Sequence, residues 1–337
     1  MFFLMSEEFK EITQEKQIFT FTYADTSFVH KMSLLSNEKS EPRLFFSDLE
    51  TSVCADGECR LANIQVYWNL LGNYVGYGTH PKFPLTKFEH DPFDEDDFAK
   101  LNQLLSDSHS ILERKEISDL TEKVPAKSSK NTHGDVDGVS SATKKEIKES
   151  VVAGGLYSCY TFWHLVHGDV RKKMTAFLDS IYSDSLNNYF LYSPYRDYQN
   201  HALKQLDSLG FTTHITQIAK IYKETQPMTR AYILKKMPDR LLKEQNVTQQ
   251  FYGAFSMVDI NTRTQLIKKV AAAYPEAVEL LSKHLSEMTK NQLRFYLDFL
   301  NDHSENINQT VKDNLHSTSL SQEYTYGYLI REFLDSK

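Results

Sequence analysis

The sequence predicts an α+β first part followed by an all-α second part, a solenoid or a bundle. Three features carry that expectation. β-Type segments lie between Phe19 and Tyr77, an apolar helical run follows residue 143, and amphipathic stretches succeed one another after Gly168. A chain of 337 residues fits about two domains at roughly 150 residues each.

Phe19-Thr20-Phe21-Thr22-Tyr23 has the aromatic and β-branched residues that suit a pleated surface, and it opens a sheet. The next strand is Leu61–Trp68, the segment Asn69–Asn73 turns the chain, and Tyr74–Tyr77 returns it. Ahead of this hairpin, Cys54 and Cys59 bracket the turn-type sequence Ala-Asp-Gly-Glu. Three readings stay open for the pair: small residues at the ends of a hairpin, a disulfide, or a metal or redox pair. Cys159 lies in an apolar segment and reads as a buried small hydrophobe.

Pro92 and Asp94 announce a helix from Glu95 to Leu105, with Phe98, Leu101, Leu104 and Leu105 at helical spacing. The run Asp94-Glu95-Asp96-Asp97 reads as capping and dipole compensation rather than as a metal site with His90 and Asp91. Residues 121–135 are polar, include Pro125 and Gly134, and read as a long loop.

Residues 137–143 then read Asp-Gly-Val-Ser-Ser-Ala-Thr. Ser140, Ser141 and Thr143 are natural N-cap residues, and Thr143-Lys144-Lys145-Glu146 has capping-box form. The expected helix runs through Ile147, Val151, Val152, Leu156, Cys159, Phe162, Trp163 and Val166, and His167-Gly168 ends it. Ala153-Gly154-Gly155 thins its bulk and admits close approach of another element or a flat ligand. A phosphate near Thr143 would meet free backbone N–H groups at the positive end of the helix dipole, with Gly138 permitting a tight approach upstream. His164 and His167 read as structural or capping residues, and Tyr157, Tyr160, Phe162 and Trp163 as core.

This segment resembles the D-x-x-S/T-G-A-T motif of FMN-binding domains. That family includes the flavin subunits of sodium-pumping NADH:quinone oxidoreductase and of Rnf complexes, and NosR-type proteins. The resemblance spans residues 50–168, with its specificity concentrated in the seven-residue motif. It implies FMN held covalently through its phosphate on Thr143, attached from FAD by a flavin transferase. Asp137 would be the motif acid, with Ser140 and Ala142 at the remaining fixed positions. Ser141 stands where the family has glycine, and Lys144-Lys145-Glu146 replaces its Thr-Ser type continuation. The implied role is electron transfer between redox protein partners, an electron carrier more than a substrate-specific enzyme. The alternative is a flavin-free binding or scaffold protein with a degenerate domain of this kind.

After Gly168, helical stretches at 198–209, 213–224, 228–237, 248–258, 262–273, 276–284 and 291–300 are broken at Gly210, Pro227, Pro238, Asp259 and Pro275. Pairs recurring at about 35 to 40 residues suggest a HEAT-like repeat serving as a docking surface. The expected organisation is therefore 1–49, a partly β N-terminal extension; 50–168, the FMN-binding-like domain; and 169–337, the helical repeat.

A net charge of −7 with no basic arm argues against nucleic acid as a partner. No apolar run approaches the roughly 18 residues of a spanning helix, and Met1–Met5 is too short for a secretory signal. The resemblance nevertheless implies a bacterial, extracytoplasmic setting with the signal missing from this sequence; without it, the chain reads as cytoplasmic. No P-loop, nucleophile elbow or G-x-G-x-x-G occurs.

Overall fold

The computed structural model describes residues 2–4, 10–23, 28–53, 61–80, 82–87, 91–125, 139–143 and 145–336. The chain divides into two compact units, Met1–Tyr182 and Ser183–Lys337. The expected boundary at 168 falls inside the first unit.

The first unit is built on a six-stranded antiparallel sheet. Its strands are β1 (Phe2–Leu4), β2 (Gln14–Thr22), β3 (Val29–Ser36), β4 (Pro42–Thr51), β5 (Ala62–Asn69) and β6 (Tyr74–Thr79). They lie in the order β1-β6-β5-β4-β3-β2, a meander whose first strand closes onto β6. Strands β1 to β3 and most of β4 come from the stretch expected as an extension, so these segments of it share one sheet with β5 and β6.

The sequence-predicted hairpin at 61–77 is β5–β6. Its turn is local chemistry: the Asn69 side chain accepts from the amides of Leu71 and Asn73, each at 3.0 Å, and Gly72 takes φ +75°. The register sets Phe45 opposite Trp68, Leu49 opposite Ile64 and Val66 opposite Tyr77, so their side chains share one buried face.

Three helices meet that face: α1 (Glu95–Ser106), α3 (Leu156–His167) and α4 (Val170–Ile181). Trp68 Nε1 donates to Val166 O at 3.0 Å, the Tyr77 hydroxyl to Phe98 O at 2.9 Å, and Phe177 of α4 packs edge-on against Phe45. A smaller cluster of Leu35, Leu44 and Tyr67 covers the opposite face with Ile12, Phe46 and Val75. Helix α1 begins as its sequence implies: Asp94 and Asp97 form a reciprocal capping box, and the Lys87 ammonium bonds both carboxylates.

The second unit is all helix: α5 (Asp184–Tyr192), α6 (Arg196–Gln205), α7 (Ser208–Thr213), α8 (Ile215–Glu224), α9 (Pro227–Lys236) and α10 (Asp239–Leu242). It continues with α11 (Gln245–Tyr252), α12 (Ile260–Lys268), α13 (Glu276–Ser282), α14 (Lys290–Asp302), α15 (Gln309–Leu320) and α16 (Gly327–Asp335). Packing follows two rows. Helices α8, α11, α13 and α15 touch in succession, as do α9, α12, α14 and α16. First-row helices start at 215, 245, 276 and 309, an interval of roughly 30 residues, shorter than the 35 to 40 expected.

Buried tyrosines fasten the rows in two pairs, Tyr252 donating to Leu266 O and Tyr296 to Val278 O, while Tyr324, ahead of α16, donates to Met288 O of the preceding pair. Between pairs, equivalent arginines repeat one device. Arg230 donates to Tyr222 O and Lys223 O at the end of α8 and pairs with Asp259 of the next pair. Arg263 donates to Ser256 O and Val258 O and pairs with Glu287.

Candidate functional site

Of the motif residues, Ser140, Ser141, Ala142 and Thr143 lie in strand β8 (Val139–Thr143), while Asp137 and Gly138 lie outside the described residues. β8 pairs antiparallel with β7 (Thr121–Pro125), Thr143 opposite Thr121 and Val139 opposite Pro125, as a two-stranded ribbon separate from the main sheet. The expected polar loop therefore begins as a strand. Cys54, Cys59 and His90 also lie outside the described residues.

The motif does not head a long helix. Helix α2 (Lys145–Lys148) is four residues long, and α3 starts only at Leu156. Two features separate them. Gly154 takes φ +75°, outside the right-handed helical region and open to it because glycine has no Cβ, and Gly155 stands in the N-cap position of α3. In that gap the Val152 amide donates to Cys159 Sγ at 3.4 Å. A Cβ on Gly155 would come within 3.1 Å of the Phe93 ring and 3.2 Å of Val152, so the thin point expected to admit another element admits Phe93. The macrodipole argument for an anion at Thr143 consequently falls away: four residues make barely one turn.

Helix α3 is buried around most of its circumference, and its polar edges go to carbonyls. Trp163 Nε1 donates to Asp107 O at 2.8 Å and the Tyr160 hydroxyl to Lys115 O at 2.9 Å. His167 Nε2 bonds Leu105 O at 2.8 Å and His164 Nε2 bonds Leu112 O at 3.1 Å. A carbonyl only accepts, so both imidazoles carry a proton on Nε2. Burial lowers the pKa of each, holding them neutral. These residues satisfy the end of α1 and the turns after it, the structural role their spacing suggested. Cys159 is fully buried, and burial pushes its thiol up to about 12, which makes it inert near neutrality.

Beside α3 lies a cleft of about 560 Å³ lined by Phe21, Tyr23, Tyr160, His164, His167 and Lys172. The Tyr23 ring stacks over His164 with centroids 6.1 Å apart and planes 26° apart, and Tyr23 hydrogen-bonds Tyr160. Burial raises both phenols, so they stay protonated. The cleft offers aromatic faces and neutral polar groups, with an exposed Lys172–Asp169 pair at 2.8 Å on its rim. Such a lining seats a ligand; it does not assemble a base with a nucleophile. Sequence reasoning placed Tyr160, His164 and His167 on one helix but missed Tyr23, because only tertiary packing brings β2 to α3.

No protein family, curated protein or solved structure matches this chain. No helix among the described residues is long and apolar enough to cross a membrane.

Proposed function

We propose that the first unit is a flavin carrier with FMN attached at Thr143 and that the helical unit, a HEAT-like array, docks its protein partners. The observation carrying this reading is the position of Thr143, the last residue of an accessory ribbon strand outside the six-stranded sheet. A transferase can act on such a strand end without opening the core. Lys144 and Lys145 follow directly in sequence and put positive charge near a phosphodiester monoanion.

In the attachment step, the Thr143 oxygen bonds to the flavin-side phosphorus of FAD. The pyrophosphate P–O bond breaks, AMP leaves, and the threonine proton passes to a base of the transferase. The bound flavin supplies reversible one- and two-electron chemistry, and the protein supplies attachment and partner choice. The same reading sets the protein outside the cytoplasm, where Cys54 and Cys59 could pair.

Co-expression with a flavin transferase tests this. The product should be yellow and fluorescent in a denaturing gel, its intact mass raised by FMN less water, and Thr143→Ala should abolish all three. A colourless product of unmodified mass from a host with active transferase would refute flavin attachment. One observation favours a second reading, a flavin-free assembly protein: no long helix stands behind Thr143 to hold a phosphate. That protein would remain unmodified and keep partner binding.

A further inference from the structure

Charge is distributed unevenly along the helical unit. Residues 215–275 hold ten Lys and Arg against four Asp and Glu, a net of +6. Residues 276–337 hold six against ten, and residues 1–182 hold twenty against twenty-eight. A chain of net charge −7 thus contains a contiguous cationic stretch two helix pairs long.

The fold gathers much of this charge on one edge. Lys235 and Lys236 end α9, Lys268 and Lys269 end or follow α12, and these two helices pack together. Arg240 of α10 joins them: its neighbour Asp239 accepts an ion pair from Lys269 at 3.0 Å, which ties α10 to the end of α12. Lys235, Lys236, Arg240 and Lys268 are exposed. The Lys268 ammonium sits 5.0 Å from the Phe295 ring centroid, and that ring is itself 42% exposed, so an apolar surface borders the charge.

Cations at helix C-termini gain from the macrodipole, a sufficient local reason for one lysine at each end. It does not explain α9 and α12 lacking any acid at all while their neighbours α14 and α16 end in Asp302 and Asp335. We infer that the edge formed by the ends of α9 and α12 with α10 is a docking surface for an acidic segment of a partner protein. The inference rests on the helical unit being the docking part and is independent of flavin on Thr143.

Charge complementarity selects that occupant. Fields between exposed charges die away over about 8 Å at physiological ionic strength, so a short acidic segment senses the edge alone. A long polyanion such as nucleic acid would also run against the acidic remainder of the chain.

The test uses the full-length, unmodified chain and fluorescein-labelled poly-L-glutamate, read by anisotropy near physiological ionic strength. Saturable binding should weaken about tenfold or more in Lys235→Glu/Lys236→Glu/Lys268→Glu, with unchanged circular dichroism, because both steering and contact charges are reversed. Lys312→Glu, an exposed cation in the acidic half, should leave affinity within about twofold. No binding, or equal weakening by Lys312→Glu, would overturn the inference. So would tighter binding of a single-stranded oligonucleotide of matched charge. Self-association of the chain alone, lost in the triple variant, would replace the partner with a second copy. Flavin attachment in the co-expression experiment with no binding here would sink the docking edge alone; binding here with no attachment there would sink the flavin alone.

Discussion

Polar side chains that join one element to another in the first unit span 45, 52, 56, 62 and 98 residues of sequence, from Tyr160, His164, Trp163, His167 and Trp68 respectively. In the second unit the separations cluster. Tyr232 to Leu203 spans 29 residues, Arg230 to Asp259 29, Lys269 to Asp239 30, Gln245 to Glu276 31, Gln292 to Ile260 32 and Asn308 to Glu279 29. The helical unit is therefore nearly one-dimensional, each pair tied to the next by bonds of one repeat length. The sheet unit is tied by non-local bonds that converge on α3. Damage should spread through the first unit and stay near its origin in the second.

Trp68→Ala should break this contrast most strongly. Trp68 is wholly buried, bonds Val166 O, and lies on the sheet face that α3 covers. Truncation of such a core aromatic costs about 3–5 kcal/mol. The only other tryptophan, Trp163, also lies in the first unit, so fluorescence reports that unit alone. The fluorescence transition in denaturant should move to lower concentration while the far-ultraviolet signal, dominated by the helical unit, keeps its main midpoint. Equal movement of both signals would show one cooperative block and end the comparison.

The reciprocal experiment is Gln292→Ala. Buried Gln292 donates to Ile260 O and Thr264 Oγ1, each at 2.9 Å, and accepts from the Thr289 amide in the capping box of α14. Leaving a buried group without its partner costs about 1–3 kcal/mol. Hydrogen exchange should accelerate around residues 260–300, fade toward the pairs on either side, and leave tryptophan fluorescence unchanged. Loss of protection throughout both units would contradict nearest-neighbour coupling.

The same contrast explains what could be read from the sequence. The β5–β6 turn and the start of α1 are decided within a few residues, by Asn69 and by Asp94 with Asp97, and both fall where the sequence puts them. The stop before α3 is different. Apolar residues from Ile147 to Val166 keep helical spacing, so periodicity alone runs them together. The break needs the positive φ of Gly154 and the fit of Gly155 against Phe93, which lies 62 positions earlier in the sequence and outside any local pattern. Residues 139–143 carry cap-forming hydroxyls, yet their partner strand lies at 121–125, and a distant pairing overrides local preference. In the helical unit the breaks at Pro227, Pro238, Asp259 and Pro275 fall where helices begin, whereas Gly210 lies inside α7 and the chain breaks before it, at Leu206–Asp207. The repeat reads longer because α10 and the short turns after α11 and α13 blur where each pair begins. The candidate site divides likewise: Thr143 was visible as a motif letter, while its strand and the Tyr23 wall of the cleft arise from packing.

Acid should separate the units more gently. His30, His164 and His167 all lie in the first unit, and burial lowers the pKa of each. The unfolded chain binds protons on these imidazoles near an ordinary value of about 6.5, whereas the folded unit resists them until lower pH. Their contribution is whole above that value and is lost as pH falls through it toward the folded pKa values. Asp94 acts in another window, because its lowered carboxyl pKa keeps the α1 cap intact until pH falls below the ordinary carboxylate range near about 4. The tryptophan-reported midpoint should thus decline first just below neutrality and again in stronger acid. His30 strengthens the early step, since its buried Nε2 has no hydrogen-bond partner among the described residues to offset protonation. A fluorescence transition that holds constant from neutral pH down to the carboxylate range would show that these imidazoles titrate alike folded and unfolded, and that burial does not hold them neutral.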